Sequence, residues 1–478
     1  MTTLVFVHGW SVTDTSTYGT LPAQLQQQSA HQGLNLRLVD ICLSQYVSFD
    51  DAVTMADLVR AFDHALADLQ LGDEGFACIT HSTGGPLVRQ WLRARRGQPT
   101  TYRALRLTHL VMLAPANFGS ALAQLGKGAL GKLKAWWNGI EPGQRILDWL
   151  ELGSAESLAL NLDHIHGDDP AEQDHYQFVL TGDRPDRTFY DHINSYTGET
   201  GSDGVVRMAS ANLNARHAVL THAGTVAGID TLQMNVTRAP RTAFRLISGA
   251  SHSGAAHGIM AHGATETIDC ILRCLAVRDT AGYRLLCQAF DRDNALRDRD
   301  RVELETVGPF EPRVHIHDPR SQLIMRLTDE TGEVLADSRV LLRAGLPPNP
   351  DWMPQGFMLD RQANRRAKHV ISLFLNHSLL AGSERIADPR QGRRTLRAAM
   401  ASHSPYSLCV QPAILNGLVH HTIASSHQDD DLLDVLGPHE TTVLDIVMPR
   451  KVREGVFRLT RDLSPQDFSH PEPGKDIV

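Results

Sequence analysis

The chain has 478 residues, 42% of them hydrophobic and 21% charged, with a formal net charge of −8. That length exceeds one ordinary core, so two soluble globular domains are expected. The acidic balance, with a pI of about 6.3, excludes the basic footprint of a nucleic-acid-binding protein and any strong general attraction to anionic membranes.

The first element is Leu4-Val5-Phe6-Val7, an unbroken apolar run of the kind a buried parallel strand requires, closed by His8-Gly9-Trp10. Leu34 to Cys42 predicts the next strand. Asp51 to Leu71 predicts a helix with Met55, Leu58, Phe62, Leu66 and Leu69 towards one face. Phe76-Ala77-Cys78-Ile79 then runs into Thr80-His81-Ser82-Thr83-Gly84-Gly85 and the helix-like stretch Pro86 to Leu92. Strand, hard turn and helix around one serine form the context in which that hydroxyl is lifted clear of a sheet as a nucleophile. Thr80 stands where the pattern usually has Gly, and an ordinary turn is the bland alternative.

A serine attacking a carbonyl needs backbone donors for the oxyanion. The N–H of Thr83 is one candidate. The N–H of Trp10 is the other, with Gly9 allowing close approach; a plain strand-to-loop turn is the alternative there. Leu107 to Ala114 is a further strand, followed by Pro115-Ala116-Asn117-Phe118-Gly119-Ser120. Residues 119–165 leave the sheet pattern and read as a helical cap. Their Trp136, Trp137, Trp149 and Leu150 either line an acyl pocket or a lipid surface, or pack on the sheet.

Tyr176 to Leu180 is the next strand, ended by Thr181-Gly182-Asp183. In Gly201-Ser202-Asp203-Gly204-Val205-Val206, Asp203 is placed to orient an imidazole; Asp183 is the rival acid, and a simple Asp-Gly turn the structural alternative. Phe244 to Ser248 is the last strand of the series. The small-residue loop after it, Gly249 to Gly254, carries His252 as the candidate base, with His257 and His262 close by.

With these residues in this order, the chain resembles the α/β-hydrolases. Within them it is similar to bacterial triacylglycerol lipase-like, lecithin:cholesterol acyltransferase-like and GPI inositol-deacylase-like enzymes. The resemblance is carried by Val7 to Trp10, His81 to Gly85, Leu113 to Ser120, Ser202 to Val206 and Gly249 to Gly254, and spans roughly residues 1–275. Leu113-Ala114-Pro115 replaces the family's usual Gly-Thr-Pro. The resemblance implies an α/β-hydrolase parallel sheet and cleavage of a lipid carboxylic ester through an acyl-enzyme. Ser82, Asp203 and His252 would be catalytic, Trp10 and Thr83 would form the oxyanion hole, and no cofactor or metal is expected. Acyl transfer to an alcohol would use the same residues, and a non-catalytic binding protein on the same fold is the alternative from another class. The expected partner is a lipid or small ester, with transient membrane contact and no nucleic acid.

The catalytic domain is expected over residues 1–278, a charged connector over 279–311, and a mainly antiparallel β-sandwich over 312–478. Strand candidates there are Leu323 to Thr328 with Glu333 to Leu335, Ser338 to Leu342, Val370 to Leu375, Ser407 to Val410, Val443 to Met448 and Val456 to Leu459. Asp429-Asp430-Asp431 reads as a solvated turn or a calcium loop. Arg390, Arg393, Arg394 and Arg397 read as a solvated helix face or a phosphate-binding cluster. The six cysteines lack a C-x-x-C pair and are expected to be reduced thiols. No signal peptide or apolar span is evident, so the expected location is cytoplasmic, or outside after export without a cleaved signal, including as a toxin against the lipids of rival cells.

Overall fold

The computed structural model describes residues 2–8, 15–48, 50–69, 71, 75–96, 106–125, 143–185, 199–299, 302–305, 313–413 and 419–453. Six strands form the first sheet: β1 (Thr2–His8), β2 (Leu36–Cys42), β3 (Phe76–His81), β4 (Leu107–Leu113), β5 (Tyr176–Gly182) and, after the hairpin β6 (Arg216–Val226) and β7 (Ile229–Arg238), β8 (Ala243–Ile247). Their order is β2-β1-β3-β4-β5-β8, and every pairing is parallel.

The apolar runs dictate this arrangement, because parallel strands covered on both faces must be apolar on both. Along β1, Val5 and Val7 join the core on one face, while Leu4 and Phe6 join the core on the other. Helices α1 (Leu21–His31), α2 (Met55–Asp68), α3 (Gly84–Arg95), α4 (Gln144–Leu150), α5 (Ala155–His166), α6 (Met208–Ala211), α7 (Thr265–Leu275) and α8 (Thr280–Arg297) follow in chain order. Helix α2 starts at a capping box in which Thr54 and Asp57 satisfy each other's backbone N–H groups. It shares one face of the sheet with α3, and α1, α7 and α8 cover the other. Helix α8 occupies part of the stretch expected as a charged connector. Its Tyr283, Leu286, Cys287 and Phe290, at helical spacing, are buried against the sheet.

The remaining strands are β9 (Val302–Glu305), β10 (Arg313–Ile316), β11 (Arg320–Asp329), β12 (Arg339–Ala344), β13 (Met358–Ala363), β14 (Val370–Asn376), β15 (Ile386–Asp388), β16 (Gln391–Arg397), β17 (Tyr406–Gln411), β18 (Val419–His420), β19 (Ala424–Ser426), β20 (Thr441–Met448) and β21 (Lys451–Val452). The second sheet has nine strands in the order β12-β17-β19-β7-β6-β20-β11-β14-β13. Antiparallel pairs predominate, with parallel pairing at β19–β7, β6–β20 and β20–β11. Two of its strands, β6 and β7, are donated by the chain between Asp203 and β8. They turn at Ala227 and Gly228, with φ of 50° and 80°, the two-residue geometry that suits the twist of a hairpin.

Several expectations for the second half resolve differently. The arginine cluster lies on a strand hairpin, β15–β16, and not on a helix face. Arg390 and Arg394 meet the buried Asp388, and Arg397 grips Asp318 through two bonds of 2.6 and 2.8 Å. The three acids at 429–431 are spent separately. Asp431 caps the backbone N–H groups of Tyr406 and Leu433, Asp430 accepts from Met234 N–H, and Asp429 stands 3.5 Å from His427. Val456 to Leu459, Trp136 and Trp137 lie outside the described residues, whereas Trp149 is buried in the core of the first unit. All six cysteines are buried free thiols. Among the described residues no helix is long and apolar enough to cross a membrane.

Candidate active site

Strand β3 ends at His81, and Ser82 turns into the left-handed region at φ 53°. A non-glycine residue held there carries about 1–3 kcal/mol of strain. The surroundings hold it in place. Ser82 N–H donates to Leu113 O at 3.0 Å, and α3 begins two residues later. A side chain at Gly85 would put its Cβ 2.8 Å from Pro115 Cβ, and one at Gly84 would sit 3.2 Å from Thr80 Cβ. Thr80 is thus accommodated in place of the usual glycine because the opposing Gly84 has no side chain.

Across the carboxyl edge of the sheet, His252 Nε2 lies 3.1 Å from Ser82 Oγ, and His252 Nδ1 lies 2.9 Å from Asp203 Oδ2. Asp203 is fully buried. Its Oδ1 accepts the N–H groups of Val205 and Val206 at 2.9 and 2.8 Å, and its carbonyl accepts His252 N–H at 2.9 Å. Those bonds fix the carboxylate within its own turn and leave Oδ2 for the imidazole.

The rivals are placed elsewhere. Asp183 accepts Gly249 N–H at 2.7 Å and pairs with Arg297. His257 is exposed, and its carbonyl accepts Ser251 N–H. His262 Nδ1 is 3.2 Å from Thr20 Oγ1. Thr83 N–H lies next to Ser82 at the start of α3, where backbone donors lack helical partners. Trp10 lies outside the described residues.

Other contributors carried no local signature in the sequence. His81 donates Nε2–H to the carbonyl of His252 at 2.9 Å, tying the elbow strand to the histidine loop. Burial, with the neighbouring His252 ring, pulls His81 down to about 3, so it is a neutral donor. Buried Arg89 bonds the side-chain oxygens of Asn117 and Asn161 at 3.0–3.1 Å, while Asn117 Nδ2–H reaches Ala211 O at 2.7 Å. This network pins the loop after β4. The run from Pro115 to Ser120 marked that loop, but its distant partners were not readable from it.

Beside Ser82 and Thr83 opens a narrow, almost wholly apolar cleft lined by Ala116, Leu122, Ala123, Leu147, Leu150 and Val205. Ser120 Oγ donates to Val205 O at 2.5 Å, joining its two walls. The arrangement sets a serine hydroxyl, an imidazole and a buried carboxylate in one hydrogen-bonded line beside a small apolar cleft.

No family model matches this chain, and no curated protein matches it in sequence. Among solved structures it is similar to the phospholipase PlaB from Legionella pneumophila, at 37% identity over 98% of both chains with a TM-score of 0.82. It is equally similar to a complex of that phospholipase with thio-NAD, at 37% identity over 99% of both chains with a TM-score of 0.81. Identity at that level over the whole length shows shared descent, and the parallel sheet with its elbow serine shows the fold. The chain belongs to the family of the Legionella phospholipase PlaB and is an α/β-hydrolase that cleaves carboxylic esters.

Proposed function

We propose that this enzyme removes a fatty acyl chain from a phospholipid, with Ser82 as nucleophile, His252 as general base and acid, and Asp203 as the orienting carboxylate. The observation that carries the reading is the unbroken line from Asp203 through His252 to Ser82, with contacts of 2.9 and 3.1 Å.

Ser82 Oγ attacks the ester carbonyl carbon while His252 Nε2 takes its proton. Asp203 stabilises the resulting imidazolium without itself accepting the proton. The tetrahedral oxyanion is received by the N–H of Thr83 and a second donor, for which Trp10 is the candidate. A lost oxyanion donor typically costs about 2.7–4 kcal/mol of transition-state stabilisation. His252 passes its proton to the departing alkoxide, the glycerol oxygen of a lysophospholipid, and the acyl-enzyme remains. Water then enters, gives a proton to His252 and attacks the acyl carbon. The proton returns to Ser82 Oγ as the fatty acid leaves.

The apolar cleft supports an aliphatic acyl group, and the phospholipid class rests on the relationship to PlaB. A fluorophosphonate with a long alkyl chain should label one residue, and peptide mass spectrometry should place the label on Ser82. Vesicles of phosphatidylcholine and phosphatidylglycerol should release free fatty acid. Labelling at another residue overturns the assignment of the nucleophile. Turnover of p-nitrophenyl butyrate without fatty acid from either vesicle would leave an esterase and sink the phospholipid reading.

Cleft width sets a further expectation. Ala123→Trp should lower kcat/KM for p-nitrophenyl decanoate about tenfold relative to the butyrate. Equal losses on both esters would place the acyl chain elsewhere.

A further inference from the structure

We propose that Asp360 and Arg365, both in the segment that begins with β13 on the edge of the second sheet, are positioning residues for the ester-cleaving centre. Asp360 would hold the turn that carries Asp203, and Arg365 would hold the wall of the acyl cleft. This inference rests on the assignment of Ser82, His252 and Asp203 made above.

The Asp203 turn is pressed onto the second sheet at several points. Arg207, at the end of the turn, is 1% exposed. Its guanidinium bonds Glu199 at 2.9 and 3.0 Å and Asp360 Oδ2 at 2.5 Å. It also lies 4.2 Å from the ring centroid of Phe374, the residue paired with Asp360 across β13 and β14. At the other end of the turn, Arg320 Nη2–H donates to Thr200 Oγ1 at 3.1 Å. Gly201, at φ +91°, leaves so little room that an added Cβ would stand 2.5 Å from Arg320 Cγ and 3.1 Å from Phe374 Cζ. A cation buried this deeply stays where its partners are, because pulling it from them leaves uncompensated charge. Arg207 is four residues from Asp203, and Met208 N–H closes the turn on Gly201 O at 3.0 Å. The place of Asp203 is thereby set by groups on the second sheet.

The second anchor is independent of the first. Glu151, 2% exposed, accepts Arg365 N–H at 2.7 Å and Arg365 Nε–H at 3.1 Å. Asn364 Nδ2–H reaches Leu152 O at 3.1 Å, and Arg366 pairs with Asp148. These contacts hold both sides of Leu150, whose carbonyl accepts Ser120 N–H at 2.8 Å across the cleft. Asp360 therefore acts on the catalytic line, and Arg365 on the binding groove.

The test compares Asp360→Ala, Asp360→Asn, Asp360→Glu and Arg365→Ala in the full-length chain on p-nitrophenyl butyrate and decanoate, with thermal unfolding measured for each. Asp360→Ala should lower kcat about tenfold on both esters with KM within twofold, and slow phosphonate labelling of Ser82 by the same factor. Asp360→Glu, which keeps the charge, should recover part of that loss. Asp360→Asn keeps size and leaves the Arg207–Glu199 pair, so it carries the test if the alanine variant does not fold. Arg365→Ala should raise KM for the decanoate about fivefold more than for the butyrate. The proposal is overturned if kcat in folded Asp360→Asn equals wild type, or if Arg365→Ala changes both esters alike. Absence of phosphonate label on Ser82 in the wild-type protein would instead mean that the triad assignment had failed.

Discussion

Alanine at Ser82 is expected to lower kcat by about 10⁶-fold, and asparagine at Asp203 by about 10⁴-fold, each with KM for p-nitrophenyl butyrate within a few-fold of wild type. The first removes the attacking atom. The second is more discriminating, because it leaves the turn intact. An asparagine Oδ1 still accepts the N–H groups of Val205 and Val206, which now lie 2.9 and 2.8 Å from the carboxylate. Its Nδ2 then faces His252 Nδ1, where Oδ2 stands at 2.9 Å. Two donors cannot share that bond, so the imidazole is driven to the tautomer with its proton towards Ser82, where it no longer accepts one. The double variant should fall no further than Ser82→Ala alone, because parts of one machine are not additive. Steady-state kinetics with the purified variants checks each number. A Ser82→Ala enzyme at the wild-type rate, or Asp203→Asn within tenfold of it, would break the line from Asp203 to Ser82 as the seat of catalysis.

What the sequence disclosed and what it hid follow one physical division. Strands of the parallel sheet must be apolar on both faces, so Leu4 to Val7 and Phe76 to Ile79 announce themselves as continuous runs, Leu110 to Leu113 and Phe178 to Leu180 as shorter ones, and the residues at their carboxyl ends follow. Ser82 was legible from the small residues its turn demands. Asp203 and His252 were legible from their place after successive strands. The hairpin β6–β7 was not, because Ala227 stands where Asn or Asp signals such a turn, and one end of each strand is exposed. Helix α8 hid behind its charges, although Tyr283, Leu286, Cys287 and Phe290 recur at i, i+3, i+4 and i+7. The four arginines from 390 to 397 follow helical spacing by coincidence. The acids that Arg390, Arg394 and Arg397 meet, Asp388 and Asp318, come from the neighbouring strand and from a segment about 80 residues away. The supports of the site pair residues far apart in the chain, such as Arg207 with Asp360 and His81 with His252. Such pairs leave no trace in any local window.

Stability of the folded enzyme should fall steeply between pH 6.5 and pH 5, ahead of ordinary carboxylate titration. His81, His109 and His164 are each less than 9% exposed. Burial pulls them to about 3, about 4 and about 3 respectively, with the neighbouring His252, Arg278, and Arg89 with Arg96 adding to the effect. In the unfolded chain each regains a pKa near 6.5. Below that value the unfolded state binds protons the native state refuses, so unfolding becomes easier as pH drops, until the folded values near 3–4 are reached. Each group contributes about 1.4 kcal/mol per pH unit in that window, and the three together cost about 6 kcal/mol by pH 5. A typical domain has only about 5–15 kcal/mol in all. Glu199, Glu266 and Glu440 oppose this, because burial raises them and the folded state takes up their protons first. Burial keeps these rings neutral against the pull of the backbone groups they bond, His81 the carbonyl of His252, His109 the carbonyl of Val277 at 3.0 Å, and His164 the backbone of Leu213, each of which favours the protonated form. Urea unfolding at pH 8, 7, 6 and 5 measures the slope directly, and His109→Gln should flatten it by about 1.4 kcal/mol per pH unit while preserving a donor to Val277. A free energy of unfolding that stays level from pH 7 to pH 5 would mean that these imidazoles take up protons without unfolding, and that the link between the elbow strand and the histidine loop does not depend on a neutral ring.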